Sequence, residues 1–300
     1  MPQLRADPPE HSRKPVTVRA IHPSAAVHAW YFAELEKLIT EMRESVERGV
    51  LAAYGATTPP ELAADAPPRN PSLLLKAALR KWGGLWVSKF DKLSLDLGRK
   101  FARKSFAITQ TQMRAAFKDA GFTVKFDPTP GSLAAYQAVV AQQVNLIQSI
   151  PEEYLKSVET QVWQSVMRGS DMHALSTELR KTYDLTVERA ALIARDQNAK
   201  AKAVIERARR QELGITHAIW QHSAGGKVPR ATHVAMSGKA YPLAQGMWDP
   251  AVERYILPGE LINCRCTSKA VIPAFETVEQ AEARARSSTP YLRAARGRAR

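Results

Sequence analysis

Cys264 and Cys266, with His217, His222 and His233 upstream of them, are the side chains of this sequence with the most chemistry to offer. Thiolate sulfur and imidazole nitrogen are ordinary zinc donors, so Cys264, Cys266 and His233 with either His217 or His222 would make a Cys2His2 ligand set. The competing reading needs no ion. Residues two apart share one face of a strand, where bridging them to each other is geometrically awkward, and two small thiols then serve as buried packing. Arg230 and His233, three apart behind Pro229, share a face if that segment is helical. They would then join Asn263 and Arg265 in a hydrogen-bonded network or line an anion-binding pocket.

Catalysis asks for a nucleophile with an oriented base, or for paired carboxylates in a cleft, and the sequence carries neither signature. Gly225-Gly226-Lys227 lacks the upstream glycine and the downstream Ser or Thr of a phosphate-binding loop and reads as a turn, which excludes an ATP-driven motor. No enzyme activity and no catalytic residue are expected. With two cysteines in 300 residues, a disulfide-stapled secreted domain is excluded as well. No stretch approaches the roughly 18 apolar residues of a membrane span, and the opening MPQLRADPPEHSRK is charged where a signal peptide is apolar. Residence in the cytoplasm after synthesis, with no membrane partner, is the expectation.

A net charge of +14 and a pI near 9.9 point to a polyanionic partner such as DNA. Most of that charge lies between Ser72 and Lys125, where twelve lysines and arginines meet three aspartates. Trp82, Leu85, Trp86, Phe90, Leu93, Leu97, Phe101 and Phe106 interleave with these bases at three- to four-residue intervals, the pattern of helices with an apolar stripe and a basic face. Lys89, Arg99, Lys100, Arg103 and Lys104 are the candidate phosphate contacts here. A second set, Arg284, Arg286, Arg293, Arg296, Arg298 and Arg300, lies in an acid-free tail that reads as an arm seeking phosphates or an acidic partner.

The elements that must hold these groups follow from periodicity and punctuation. An arm of about twenty residues leads into an amphipathic helix over 25–53, marked by Trp30, Leu35, Leu38, Ile39, Met42 and Val46. Two Pro-Pro pairs between Gly55 and Pro71 suit a linker. Beyond a turn at Asp127–Gly131, a helix runs over 132–146. Ser149-Ile-Pro-Glu152 then reads as the capping box of a new helix, and Gly169-Ser170-Asp171 as a further start. The longest helix is predicted over about Thr186–Leu213, with Gly214 as its stop. Past it, short β-favouring pieces (215–222, 239–241 and 264–272) alternate with turns. The chain is thus expected to be mostly α, a helical N-terminal domain followed by a small α+β C-terminal domain. Its expected limits are 1–71 for arm, helix and linker, 72–213 for a basic helical domain, 214–273 for the α+β domain and 274–300 for the tail.

From Ala194 to Pro273 the order of signals is hard to obtain from packing needs alone. Ala194-Arg195-Asp196-Gln197 stands on the long helix and Gly214-Ile215 closes it. Trp220 on a strand comes next, then Arg230-Ala-Thr-His233, Gly238-Lys-Ala-Tyr241, Pro258-Gly259-Glu260 and Asn263-Cys264-Arg265-Cys266. This succession of about 80 residues resembles the C-terminal module of phage Mu F-like head morphogenesis proteins; the helices before it are similar to that family's N-terminal half. Related modules commonly carry a Cys-x-x-Cys pair where this chain has Arg230–His233, and a histidine where it has Leu261, which favours a polar network and no metal here. Arg195 and Asp196, adjacent on a helix, diverge by about 100°, and both are expected to be buried, holding the small domain to the helix.

The resemblance implies a minor structural component of a tailed phage or prophage head. It would act in capsid assembly beside the portal vertex, with portal, capsid or scaffold proteins and non-specific double-stranded DNA as partners, and reside in the virion after assembly in the host cytoplasm. No catalytic residues and no cofactor come with it. The alternative of a different class is a metal-dependent nuclease or toxin-like enzyme built on the His and Cys residues after Gly214.

Overall fold

A computed structural model of the chain describes residues 5–6, 18–55, 71–168, 172–223, 228–272 and 277–288. The expected class is borne out: 72% of the described residues are helical, with a few short strands in the C-terminal part. Four long helices come first, α1 (Ala25–Gly55), α2 (Pro71–Asp119), α3 (Pro130–Arg168) and α4 (Met172–Glu212), and two short ones follow, α5 (Ala231–Met236) and α6 (Val278–Ser288). The expected linker, the Gly169 start signal, the Gly225–Lys227 turn and Arg293, Arg296, Arg298 and Arg300 lie outside the described residues.

Local chemistry sets the helix ends. Ser24 caps α1, its Oγ accepting from the Val27 amide at 3.3 Å. At α3, Thr129 and Ser132 exchange backbone-to-hydroxyl bonds of 3.0 and 3.1 Å, with Pro130 in the first turn, where its missing N–H costs nothing. At the far end of α4, Gly214 takes φ +74°, its amide bonds Gln211 O and that of Ile215 bonds Arg210 O, both at 3.0 Å, the two bonds of a Schellman closure.

Two expectations fail. The Ser149–Glu152 capping box starts no helix, because α3 runs through Pro151. Ser149 Oγ bonds the Leu146 carbonyl at 2.8 Å instead, and Ile147, Ile150 and Tyr154, all buried around the proline, hold the helix continuous. Nor is the Thr186–Leu213 segment the longest helix. It is the second half of a 41-residue α4, and α2 is longer at 49 residues, with buried positions recurring from Leu75 to Phe117.

The chain forms two compact units. One comprises 28–101 and 140–195 and is a helical bundle. Tyr31, Leu35, Ile39, Met42, Val46, Val50 and Tyr54 of α1 are buried at three- and four-residue spacing, as are Leu75, Phe90 and Phe101 of α2, Ile147, Tyr154 and Val158 of α3, and Leu175 and Leu179 of α4. The α2 aromatics are therefore core, and no base-stacking platform is formed by Phe90 or Phe101. Polar atoms inside are paired: Tyr31 Oη donates to Gln143 Oε1 at 2.9 Å, and Tyr54 Oη lies 3.1 Å from Ser165 Oγ. Gly84 on the exposed side of α2 has open space where a Cβ would stand. Gly84→Ala should raise stability by roughly 0.5–1 kcal/mol, read as a higher urea midpoint at unchanged slope; a lower midpoint would mean the site is not open.

The other unit comprises 1–27, 102–139 and 196–300. The strands are β1 (Arg5–Ala6) paired with β2 (Phe122–Thr123), a sheet of order β4-β3-β7, and a hairpin. In the sheet β3 (His217–Gln221) lies antiparallel between β4 (Ala240–Pro242) and β7 (Thr267–Ala270), with Ala218 opposite both Tyr241 and Ala270. The hairpin pairs β5 (Met247–Asp249) with β6 (Arg254–Ile256). Trp220, Tyr241, Ile256, Cys264 and Cys266 share one core with Met113 and Phe117 of α2 and with Leu213 and Ile215. The division expected at residue 213 therefore differs from the compact units, because the ends of α2 and α4 complete the core of the small sheet.

The arginine-rich segment also departs from expectation. Its first part, with Arg284 and Arg286, is the helix α6, opened by a reciprocal Thr277/Gln280 capping box. Ala281 and Ala285 pack on Ile219 and Val271 of the sheet, and Glu282 accepts the Ala240 amide at 2.6 Å. Small residues four apart give the helix an apolar seam that its charge conceals.

Candidate functional site

A stripe of charged residues on α4 fixes the helix to the β-containing core. Lys202 and Glu206 pair at 2.7 Å, Glu206 also binds Arg210, and all three are buried. Arg210 then reaches Ser268 on β7 twice, Nη1 to Oγ at 2.7 Å and Nη2 to the carbonyl at 3.0 Å. Burial drives the Lys202 pKa down, against the opposing pull of Glu206. Nearly two turns before this stripe, buried Asp196 accepts the Asn263 amide at 2.8 Å and the Lys200 ammonium at 2.8 Å. Asn263 itself stands at φ +60°, so the carboxylate secures a loop residue in the left-handed region. Asp196 thus ties the Asn263–Cys266 loop to α4, while Arg195 is exposed, contrary to expectation, because the 100° offset turns it to the other side of the helix.

The loop delivers Cys264 and Cys266 inward. Both are free and buried, and His233 Nδ1 lies 3.5 Å from the first sulfur and 3.6 Å from the second. The three donor atoms lie within 4.8 Å of one another. On the far side of the ring, His233 Nε2 stands 3.3 Å from Asp249 Oδ2, and neither atom has another hydrogen-bond partner. Exposure of His233, Cys264, Cys266 and Asp249 is 2%, 3%, 6% and 0%. Trp220 packs edge-on against the His233 ring at 5.3 Å and against Tyr241 at 5.9 Å. The Gly259 amide donates to Cys264 Sγ at 3.4 Å. Cys264 is drawn down to about 4 by the hydrogen bond from Cys266, aided by His233 and Gly259, while Cys266, which keeps the shared proton, is pushed up.

The structure brings together some expected partners and separates others. His233 and the two cysteines converge. Arg230, exposed ahead of α5, reaches the Ile262 carbonyl at 2.9 Å and takes no part in a network with His233. Asn263 and Arg265 are exposed. His217 bonds Thr216 at 3.0 Å. Gln197 is buried beside Asp196. Gly238 gives its amide to the Trp220 carbonyl at 2.9 Å, and buried Pro258 and Gly259 bring the chain against Ala203 of α4, leaving no room for a Cβ at Gly259 without displacing the Ala203 methyl. Asp249 was not foreseen; the only sequence sign is a carboxylate inside the otherwise apolar run Met247-Trp248-Asp249.

Among the candidate phosphate contacts, Lys89 pairs with Glu41 and stacks over Trp86, and Lys100 pairs with Asp96. Arg99, Arg103 and Lys104 are exposed on α2. On α6, Arg286 is held by Glu282 at 2.8 Å and Arg284 is half-buried. No helix among the described residues is long and apolar enough to cross a membrane.

A long helix closed by a Schellman turn, an antiparallel sheet bolted to it by buried ion pairs, and an Asn-Cys-Arg-Cys loop pinned by Asp196 make up a helix-led α+β module. Residues 156–269, from within α3 to β7, match the family described as Phage Mu protein F like protein. The match begins within α3, so α1 and α2 lie outside it, and it ends four residues before Pro273. Beyond it, the chain is similar to an uncharacterized protein of Haemophilus influenzae, 26% identical over 283 residues, covering 93% of this chain and 60% of that protein. This chain therefore spans about three fifths of that relative's length. No solved structure matches the chain.

Proposed function

We propose that this chain is a minor structural head protein of a tailed bacteriophage or prophage, acting in capsid assembly at or near the portal vertex and contacting packaged DNA. The observation that carries the reading is the match of residues 156–269 to the Mu F-like family. Its partners in this reading are the portal, capsid or scaffold proteins and double-stranded DNA bound without sequence preference. Exposed Arg99, Arg103 and Lys104 on α2 and a net charge of +14 suit phosphate contact, which sets affinity through counterion release and carries no sequence information. Burial of His233, Cys264 and Cys266 speaks for a structural role and against the nuclease alternative, since a reacting phosphate needs access to its catalytic ion.

Quantitative mass spectrometry on purified heads and procapsids from the source phage or induced prophage tests this. The chain is expected in both or in procapsids, at a copy number near that of the portal and far below that of the major capsid protein. Absence from both particles would overturn the proposal.

A further inference from the structure

We propose that His233, Cys264 and Cys266 bind one zinc ion that fastens the Asn263–Cys266 loop to α5 and to the β5–β6 hairpin. This site is independent of the head-protein reading. Its first support is geometric: for Zn–S of about 2.3 Å and Zn–N of about 2.05 Å, a tetrahedral centre sets sulfur and nitrogen ligands roughly 3.5 Å apart. His233 Nδ1 lies at 3.5 and 3.6 Å from the two sulfurs. A hydrogen-bond network accounts for this less well. A ring nitrogen has one in-plane lone pair or one N–H and can serve a single sulfur, whereas Nδ1 stands equally close to both.

The surroundings supply the rest of a zinc site. Asp249 faces the opposite ring nitrogen at 3.3 Å, the carboxylate–histidine–metal arrangement that fixes the tautomer presenting Nδ1 as a lone pair. Without an ion, Asp249 is a fully buried carboxylate whose Oδ2 has only that ring edge to face. The Gly259 amide is directed at Cys264 Sγ, an arrangement that stabilises a thiolate. Two thiolates buried side by side repel and desolvate unfavourably, and a divalent cation between them removes both costs.

The test uses the full chain carrying no histidine tag, produced with zinc in the medium. Elemental analysis should give one zinc per chain, and cobalt added to the metal-stripped chain should give the thiolate charge-transfer and tetrahedral d–d bands. Cys266→Ser should lose the ion and the charge-transfer band. Asp249→Asn keeps shape and ligands, and should bind zinc about 10–100-fold more weakly in a competition titration with a chromogenic chelator. A folded wild-type chain with neither zinc nor a cobalt–thiolate band would overturn the site, as would unchanged zinc content in a folded Cys266→Ser. If Cys266→Ser fails to fold, the wild-type cobalt spectrum and the Asp249→Asn affinity decide alone.

Discussion

Replacing Glu206 by leucine should lower stability by about 3–5 kcal/mol, whereas Lys202→Met should stay within about 1 kcal/mol of the parent chain. The asymmetry follows from the pairing. Glu206 is the one anion between Lys202 and Arg210 and bonds both, so its loss strands two buried cations. Losing Lys202 leaves Glu206 with Arg210, and Arg210 still holds Ser268. Thermal unfolding followed by circular dichroism reads the difference. Equal losses in the two variants would mean that the triad is not shared as the structure has it. A pH signature accompanies the stability change. Burial holds the folded-state pKa of Lys202 below its ordinary value of 10.5. Between that lowered value and 10.5 the unfolded chain carries the proton and the folded chain does not, so this residue's contribution to stability rises with pH across the window. Lys202→Met removes that rise, which unfolding curves collected from neutral pH to above pH 10 would register.

The sequence was most legible where one element decides its own fate. Apolar spacing on α1 located that helix to within two residues of its C-terminal end, and Gly214 marked the close of α4, because periodicity and left-handed glycine are local properties. Pro151 misled for the opposite reason. A proline in a first turn and a proline inside a helix look alike until the flanking residues are known to face a core, and Ile147, Ile150 and Tyr154 do. The α6 helix was hidden by its arginines, although Thr277 and Gln280 carried a readable capping box and Ala281 and Ala285 a seam.

At the site, the divide falls between what one loop carries and what tertiary structure supplies. The Asn-Cys-Arg-Cys loop was visible as chemistry, and its anchor Asp196 was visible as a motif residue. Asp249 belongs to the same cluster by distance alone, since the hairpin that carries it is separated from His233 by sixteen residues and no periodicity links them. The ranking of a polar network above a metal rested on which ligands were missing relative to related modules. What alters that ranking is the position of a carboxylate behind the histidine, and position is not a property of composition.

Gly246→Ala should be the most damaging small substitution in the β-containing unit, at about 3 kcal/mol or more, from left-handed strain and overlap together. Gly246 sits at φ +88°, where any Cβ is strained, and an added methyl would stand 2.4 Å from the Ile256 carbonyl oxygen and 2.8 Å from its carbon. Those atoms are backbone of the paired strand β6 and cannot rotate away. Relief requires prising β5 from β6, and β5 ends in Asp249, so the displacement reaches the carboxylate behind His233. Gly214→Ala is the control. Its φ of +74° carries the same backbone strain, but nothing lies within 4 Å of the added methyl, so a loss of only about 1 kcal/mol is expected. The difference between the two variants in thermal unfolding isolates the overlap from the backbone strain. Equal losses would place the cost in the left-handed conformation alone and remove the argument that the close approach of β6 to Gly246 holds Asp249 in register with the histidine.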